Sequence, residues 1–104
     1  MKDLEDYRRQ IRNLANAKDW NDSQLWLERS IFVEVGELVK AVEEKKSQDE
    51  VAEEFADVMH YLIQYVNKFA SFSNLDKALQ DKIDSNWKNK KKTWDDSKET
   101  IVKK

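Results

Sequence analysis

Residues 31–42 read "IFVEVGELVKAV" and residues 51–62 read "VAEEFADVMHYL". At a constant offset of twenty, Ile31, Glu34, Val35, Glu37, Leu38, Val39 and Val42 stand against Val51, Glu54, Phe55, Asp57, Val58, Met59 and Leu62. Each segment repeats apolar residues at spacings of three and four, the mark of a helix with one buried face. Each also carries two carboxylates three residues apart. At about 100° per residue they project roughly 90° and 150° from the centre of the apolar stripe, on the same flank in both helices. Between them lies "KKSQDE", residues 45–50, where Ser47 and Glu50 have capping-box spacing. So short a connection predicts an antiparallel hairpin. A local twofold axis relating two such helices brings the same flank of each together, so that Glu34, Glu37, Glu54 and Asp57 converge.

The rest of the chain is built in the same way. Leu4, Tyr7, Ile11 and Leu14 predict a first helix over about residues 2–17. "KDWNDSQ", residues 18–24, breaks the pattern and offers Asn21, Asp22 or Ser23 as a cap for the second helix, which runs to about Lys45. Its stripe extends upstream through Leu27 or Trp26 and Phe32. The third helix carries Val51 to Phe69 and fades at "ASFSN". Ser73 followed by Asp76 marks a fourth start, with Leu75, Ala78, Leu79 and Ile83 as its apolar face. Beyond it the pattern dissolves into "NWKNKKKTWDDSKETIVKK", where residues 93–104 are expected to form an exposed C-terminal tail. With no proline and one glycine among 104 residues, the chain has few of the residues that tight β connections need. The expected fold is all-α: one domain over 1–104, a four-helix bundle around the antiparallel hairpin. Its modest core would be completed by oligomerisation.

Charged residues make up 38% of the chain and both signs alternate, for a net charge of −2. That balance argues against duplex nucleic acid as a partner. No cysteine is present, which excludes disulfides and thiolate metal sites, and no apolar run is long enough to cross a bilayer. The opening "MKDLEDYRRQ" does not resemble a signal peptide, so a cytoplasmic location is expected.

Four ionised carboxylates in one cleft repel strongly, since a pair about 4 Å apart costs on the order of 4 kcal/mol at an effective dielectric near 20. Either some are protonated or a cation sits among them. All-oxygen ligation suits a hard ion, Mg²⁺ or Mn²⁺. An acidic flank beside an apolar stripe is also an ordinary solvated surface, and 21 acids give such pairs ample opportunity to arise. Gly36, between Glu34 and Glu37, costs a helix about 1 kcal/mol relative to alanine, which points to close approach of a helix or ligand there.

"EVGELVKAV" followed by "EEFADVMHYL" resembles the E-x-x-E and E-x-x-D motifs of the all-α nucleoside triphosphate pyrophosphohydrolases, the MazG-like superfamily. Its members include dimeric dUTPases, dCTP pyrophosphatases and phosphoribosyl-ATP pyrophosphohydrolases. The resemblance covers roughly residues 25–92. It implies that Glu34, Glu37, Glu54 and Asp57 hold Mg²⁺ and serve catalysis. It further implies cleavage between the α and β phosphates of a nucleoside triphosphate at a site formed between subunits of a homodimer or homotetramer.

"KIDSNWKNKKKTW" is similar to the segment in which relatives bind the nucleotide with a lysine and an asparagine four residues later, here Lys82 and Asn86. Within the lysine run from Lys88 to Lys92, Lys90 is a further candidate for phosphate, although such runs are ordinarily solvated. Trp94 follows without the proline that many relatives have. Trp20 and Trp26 lie near where relatives often hold the base, and an indole stacks on a nucleobase as readily as it fills a core. Trp87, next to Asn86, shares that ambiguity. His60, at Asp57-x-x-His60, echoes half of a di-iron motif, but paired E-x-x-H motifs are absent and its angle places it opposite the core. It is expected to be exposed or at a subunit contact and not a ligand. A non-catalytic helical interaction module and a di-metal carboxylate protein are the alternatives.

Overall fold

The structure, a computed structural model, describes residues 3–70 and 73–89 in full and the backbone of 92–95 and 100–103. The elements in order are α1 (Leu4–Ala17), α2 (Gln24–Glu43), α3 (Gln48–Phe69), α4 (Leu75–Lys88), β1 (Lys92–Asp95) and β2 (Thr100–Lys103). They fall into two compact units, Met1–Ser73 and Asn74–Lys104. The all-α expectation holds for the four helices.

In the first unit α2 and α3 form the antiparallel hairpin, early residues of one meeting late residues of the other. Tyr65 Oη donates to Glu28 Oε2 at 2.7 Å, and the rings of Trp26 and Tyr61 meet edge to face with centroids 5.9 Å apart. α1 packs on α3, where Asn67 Nδ2 donates to the carbonyl of Arg8 at 3.2 Å. α3 is therefore central and is covered on more than one side. Its length of 22 residues and its buried Val58, Ile63 and Gln64 follow from that position.

The caps explain where these helices begin. Ser23 Oγ accepts from the backbone N–H of Trp26 at 3.1 Å, and Ser47 Oγ accepts from that of Glu50 at 3.2 Å while donating to its carboxylate. Helix ends are less conventional. At the end of α2, Lys45 adopts φ 58° and its N–H donates to Val42, while the N–H of Lys46 reaches back to Ala41. Asp19 does the same after α1, with Trp20 reaching back to Ala15. Both are Schellman-type closures in which a residue with a Cβ takes the left-handed position usually given to glycine. The one glycine is elsewhere: Gly36 lies inside α2, and no glycine has positive φ.

Burial within the protomer is sparse. Leu27, Ala41, Val58 and Ile63 are the buried apolar side chains among the described residues. The row of α2 that faces inward is Leu27, Ile31, Glu34, Leu38 and Ala41, rotated from the stripe that the sequence predicts. Val35, Val39 and Val42 consequently remain exposed, with Phe32 at 77% and, on α3, Phe55 at 53%. The periodicity marks two apolar faces as one. It cannot tell a face used within the chain from one left for another surface.

In the second unit α4 starts one residue later than expected, from Asn74. Its φ of 60° and its side chain accepting from Lys77 N–H make it the cap in place of Ser73. Asparagine tolerates that left-handed conformation better than serine. The helix also continues past Ile83 to Lys88, supported by Lys77–Asp81 and Gln80–Asp84 contacts one turn apart. The C-terminal segment, expected as a tail, contains an antiparallel ribbon in which Thr93 and Trp94 stand opposite Val102 and Ile101. These are residue types that favour strands, which the loss of helical period obscures.

A candidate acidic centre beside an aromatic pocket

Glu34 on α2 and Glu54 and Asp57 on α3 each bring one carboxylate oxygen within 4.8 Å of the others. Glu34 and Glu54 are half-buried and Asp57 is exposed. They meet because the hairpin sets Glu34 level with the turn of α3 that carries both acids, and Glu34 belongs to the inward row of α2. Glu37, the fourth acid expected, is exposed and outside this group, so the convergence comprises three acids and not four. The twofold relation is approximate: α3 contributes both of its acids, α2 one.

Burial raises the pKa of Glu34 above its ordinary value, and the negative charges of Asp57, Glu54 and Glu37 push in the same direction. The charged form of Glu34 is thus disfavoured where it stands. A hard divalent cation, bound by oxygen ligands, would relieve that strain, and the donor set is appropriate to one.

A pocket of about 410 Å³ adjoins the cluster and shares Asp57 with it. Its other walls are Trp20, Asp22, Trp26, His60, Tyr61 and Gln64. That volume is in the range of small-ligand sites. The chain places each wall by an identifiable device. The closure after α1 fixes Trp20, the Ser23 cap starts α2 just before Trp26, and α3 holds the intervening loop in two places. Gln64, itself buried, donates from Nε2 to Asp22 Oδ2 at 2.9 Å, and the Lys68 ammonium donates to the Asp22 carbonyl. The Trp20 ring lies 5.9 Å from that of His60. Tyr61 has its phenol pushed above its ordinary pKa, first by burial and then by the charges of Glu34, Asp57 and Asp22. It remains protonated and able to donate.

The expectation for His60 is corrected. It is half-buried between Trp20 and Tyr61, because α3 is covered on the side that its angle suggests is solvent. It stands outside the acidic group, as expected. Asp22, Tyr61 and Gln64 are site residues that the sequence reading does not single out as such. The available signal is a polar and aromatic row on α3, Asp57, Tyr61, Gln64 and Lys68, at helical spacing beside the apolar stripe.

Lys82 and Asn86 lie one turn apart on α4, in the second unit, and both are exposed. Trp87 is 82% exposed. Lys90 lies outside the described residues. Among the described residues nothing approaches Gly36: a Cβ there would find no neighbouring atom within 4 Å beyond its own helix. The close approach expected at this glycine is not made by any described residue. Among the described residues, no helix is long and apolar enough to cross a membrane.

Compared with known protein families, residues 23–91 match the model of the MazG nucleotide pyrophosphohydrolase domain. Comparisons with curated proteins and with solved structures return no significant match.

Proposed function

The chain belongs to the MazG nucleotide pyrophosphohydrolase family, and on that premise we propose that it hydrolyses the α–β phosphoanhydride of nucleoside or deoxynucleoside triphosphates. The products are a monophosphate and pyrophosphate, and Mg²⁺ is the cofactor, with Mn²⁺ as a substitute. The observation that carries this is the acidic cluster sharing Asp57 with an aromatic pocket of nucleoside size.

Glu34, Glu54 and Asp57 are the residues that would hold the ion, with Glu37 at their edge. When bound, a divalent cation supplies positive charge against phosphate oxygens and makes water a stronger acid. Glu37, the acid outside the three-oxygen group, orients the attacking water and accepts its proton. The water oxygen bonds to phosphorus, and the bridging oxygen departs with pyrophosphate. Trp20 and Trp26 flank the base. Lys82 and Asn86, with Lys90, are assigned to phosphate on the family resemblance, lysine acting there as a point charge.

A homodimer or homotetramer fits the exposed Phe32, Val35, Val39, Val42 and Phe55, apolar side chains that a contact between copies would cover. That same face is what an interaction module without catalysis would use. A di-metal redox protein is less well supported, because His60 packs against Trp20 and is not among the clustered acids.

Pyrophosphate release from a panel of ribo- and deoxynucleoside triphosphates, with Mg²⁺, Mn²⁺ or chelator, tests the proposal. Chelator-sensitive release is the expected result. A folded protein that turns over none of them in either metal would return the acids to a solvated flank and leave the interaction module as the better account.

A further inference from the structure

The aromatic pocket is lined by two carboxylates with different surroundings. Asp57 belongs to the acidic cluster, which takes phosphate only with a cation between like charges. Asp22 carries a second carboxylate in the same pocket, and it is not among the clustered acids. A triphosphate cannot lie against Asp22 without repulsion, so the group that meets it must be uncharged or a hydrogen-bond donor.

The carboxylate is also held in place. Gln64, 94% buried by virtue of a relative exposure of 6%, uses its amide N–H₂ on Asp22 Oδ2 at 2.9 Å, and Lys68 ties down the backbone carbonyl of the same residue. Gln64 can then offer its amide oxygen. With the Gln64 nitrogen engaged on the Asp22 carboxylate, this wall of the pocket presents acceptors.

We infer that Asp22, positioned by Gln64, reads the base and selects nucleotides whose base carries an exocyclic amino group over uracil and thymine. Cytosine, adenine and guanine each have such a donor, and acidic side chains accept from the cytosine amine in base recognition. Uracil and thymine present carbonyl oxygens there, which an ionised carboxylate repels. A buried polar group left without its partner is the physical basis of such discrimination. Asp22 is thus a specificity residue, distinct from the acids that act on phosphate. This inference rests on the nucleotide assignment above.

Cytosine and uracil nucleotides give the cleanest comparison, because they differ mainly in an amine against a carbonyl. Calorimetric titration of the full-length protein with CMP and with UMP reads the base without requiring turnover. CMP should bind roughly tenfold or more tightly than UMP, and Asp22→Asn should bring the two within about threefold, because an amide can turn either a donor or an acceptor toward the base. Equal affinities in the wild type, or a preference that survives Asp22→Asn, would overturn the assignment. If that variant fails to fold, Gln64→Met, which removes the amide that holds the Asp22 carboxylate, should narrow the preference in the same way, and an unchanged preference there would overturn the assignment. Pyrophosphate release measured beside it separates the two proposals. Turnover of triphosphates without the CMP preference removes the base reader and leaves the hydrolase. The CMP preference without turnover does the reverse, and failure to bind either nucleotide together with no turnover removes both.

Discussion

The two exposed sides of the α2–α3 hairpin are made differently. On one, Glu34, Glu54 and Asp57 converge beside a pocket whose walls are fixed by caps, a helix closure and a buried glutamine. On the other, Phe32, Val35, Val39, Val42 and Phe55 are open and make no such network. The first side brings polar groups of like charge into one place. The second leaves apolar side chains exposed. An amphipathic pattern in the sequence records both as departures from the same stripe, so the difference between them becomes visible only when the protomer's own burial is known.

The strongest way to break this contrast is to remove an acid. Glu54→Ala or Asp57→Ala should lower kcat/KM for triphosphate hydrolysis by roughly 10³-fold, the scale set by losing one stabiliser of transition-state charge. The far-UV circular dichroism should not change. Near-normal turnover in either variant would mean that the acidic side is merely solvated. On the apolar side, Val39→Asp introduces a charge that an interface cannot easily desolvate. Sedimentation should show association weakened at least about tenfold, and an unaltered mass would place the subunit contact elsewhere.

Smaller effects sharpen the comparison. In Glu34→Gln the metal-free protein should melt higher than wild type, by a margin that widens with pH. The sign follows from linkage: the folded-state pKa of Glu34 is raised, so the folded protein binds more protons, and stability is lost as pH climbs from about 4.5 through the raised value. The variant does not pay this cost, and its melting temperature should also respond less to Mg²⁺. Equal pH dependence in both proteins would count against the crowded-charge account. Smallest is Gly36→Ala. The added Cβ meets none of the described residues, so unfolding by urea should show a gain of about 1 kcal/mol from helix propensity. A loss of stability or of assembly would instead assign Gly36 to a contact between copies.

Much of this architecture is legible before the structure. Ser23 and Ser47 announce α2 and α3 because a side-chain oxygen one residue before a periodic run has a defined use. The three clustered acids follow from matching the registers of two segments. Other features depend on relations that no local pattern carries. The register match predicts four converging acids, and Glu37 falls outside the three-oxygen group because it is exposed while Glu34 belongs to the inward row of α2. The Asp22–Gln64 bond joins residues 42 positions apart, so neither residue is marked by its neighbours in sequence. The ends of α1 and α2, expected near residues 17 and 45, fall at Ala17 and Glu43; what the sequence does not show is the closure that follows each, because Asp19 and Lys45 occupy backbone conformations where a glycine is the usual signal.

The four-residue connection from Glu44 to Ser47 bears on how quickly the acidic centre comes into being. Glu34, Glu54 and Asp57 all lie on the two helices it joins, so their meeting requires closure of a short stretch of chain, with little entropy lost to loop formation. Contacts of such low sequence separation belong to the fast regime of folding, whereas association of subunits is concentration-dependent and slower. The acids are therefore expected to gather during the folding of each newly made chain, ahead of any encounter between copies. In that order of events, a divalent cation of the kind proposed for the site would act on the earliest hairpin.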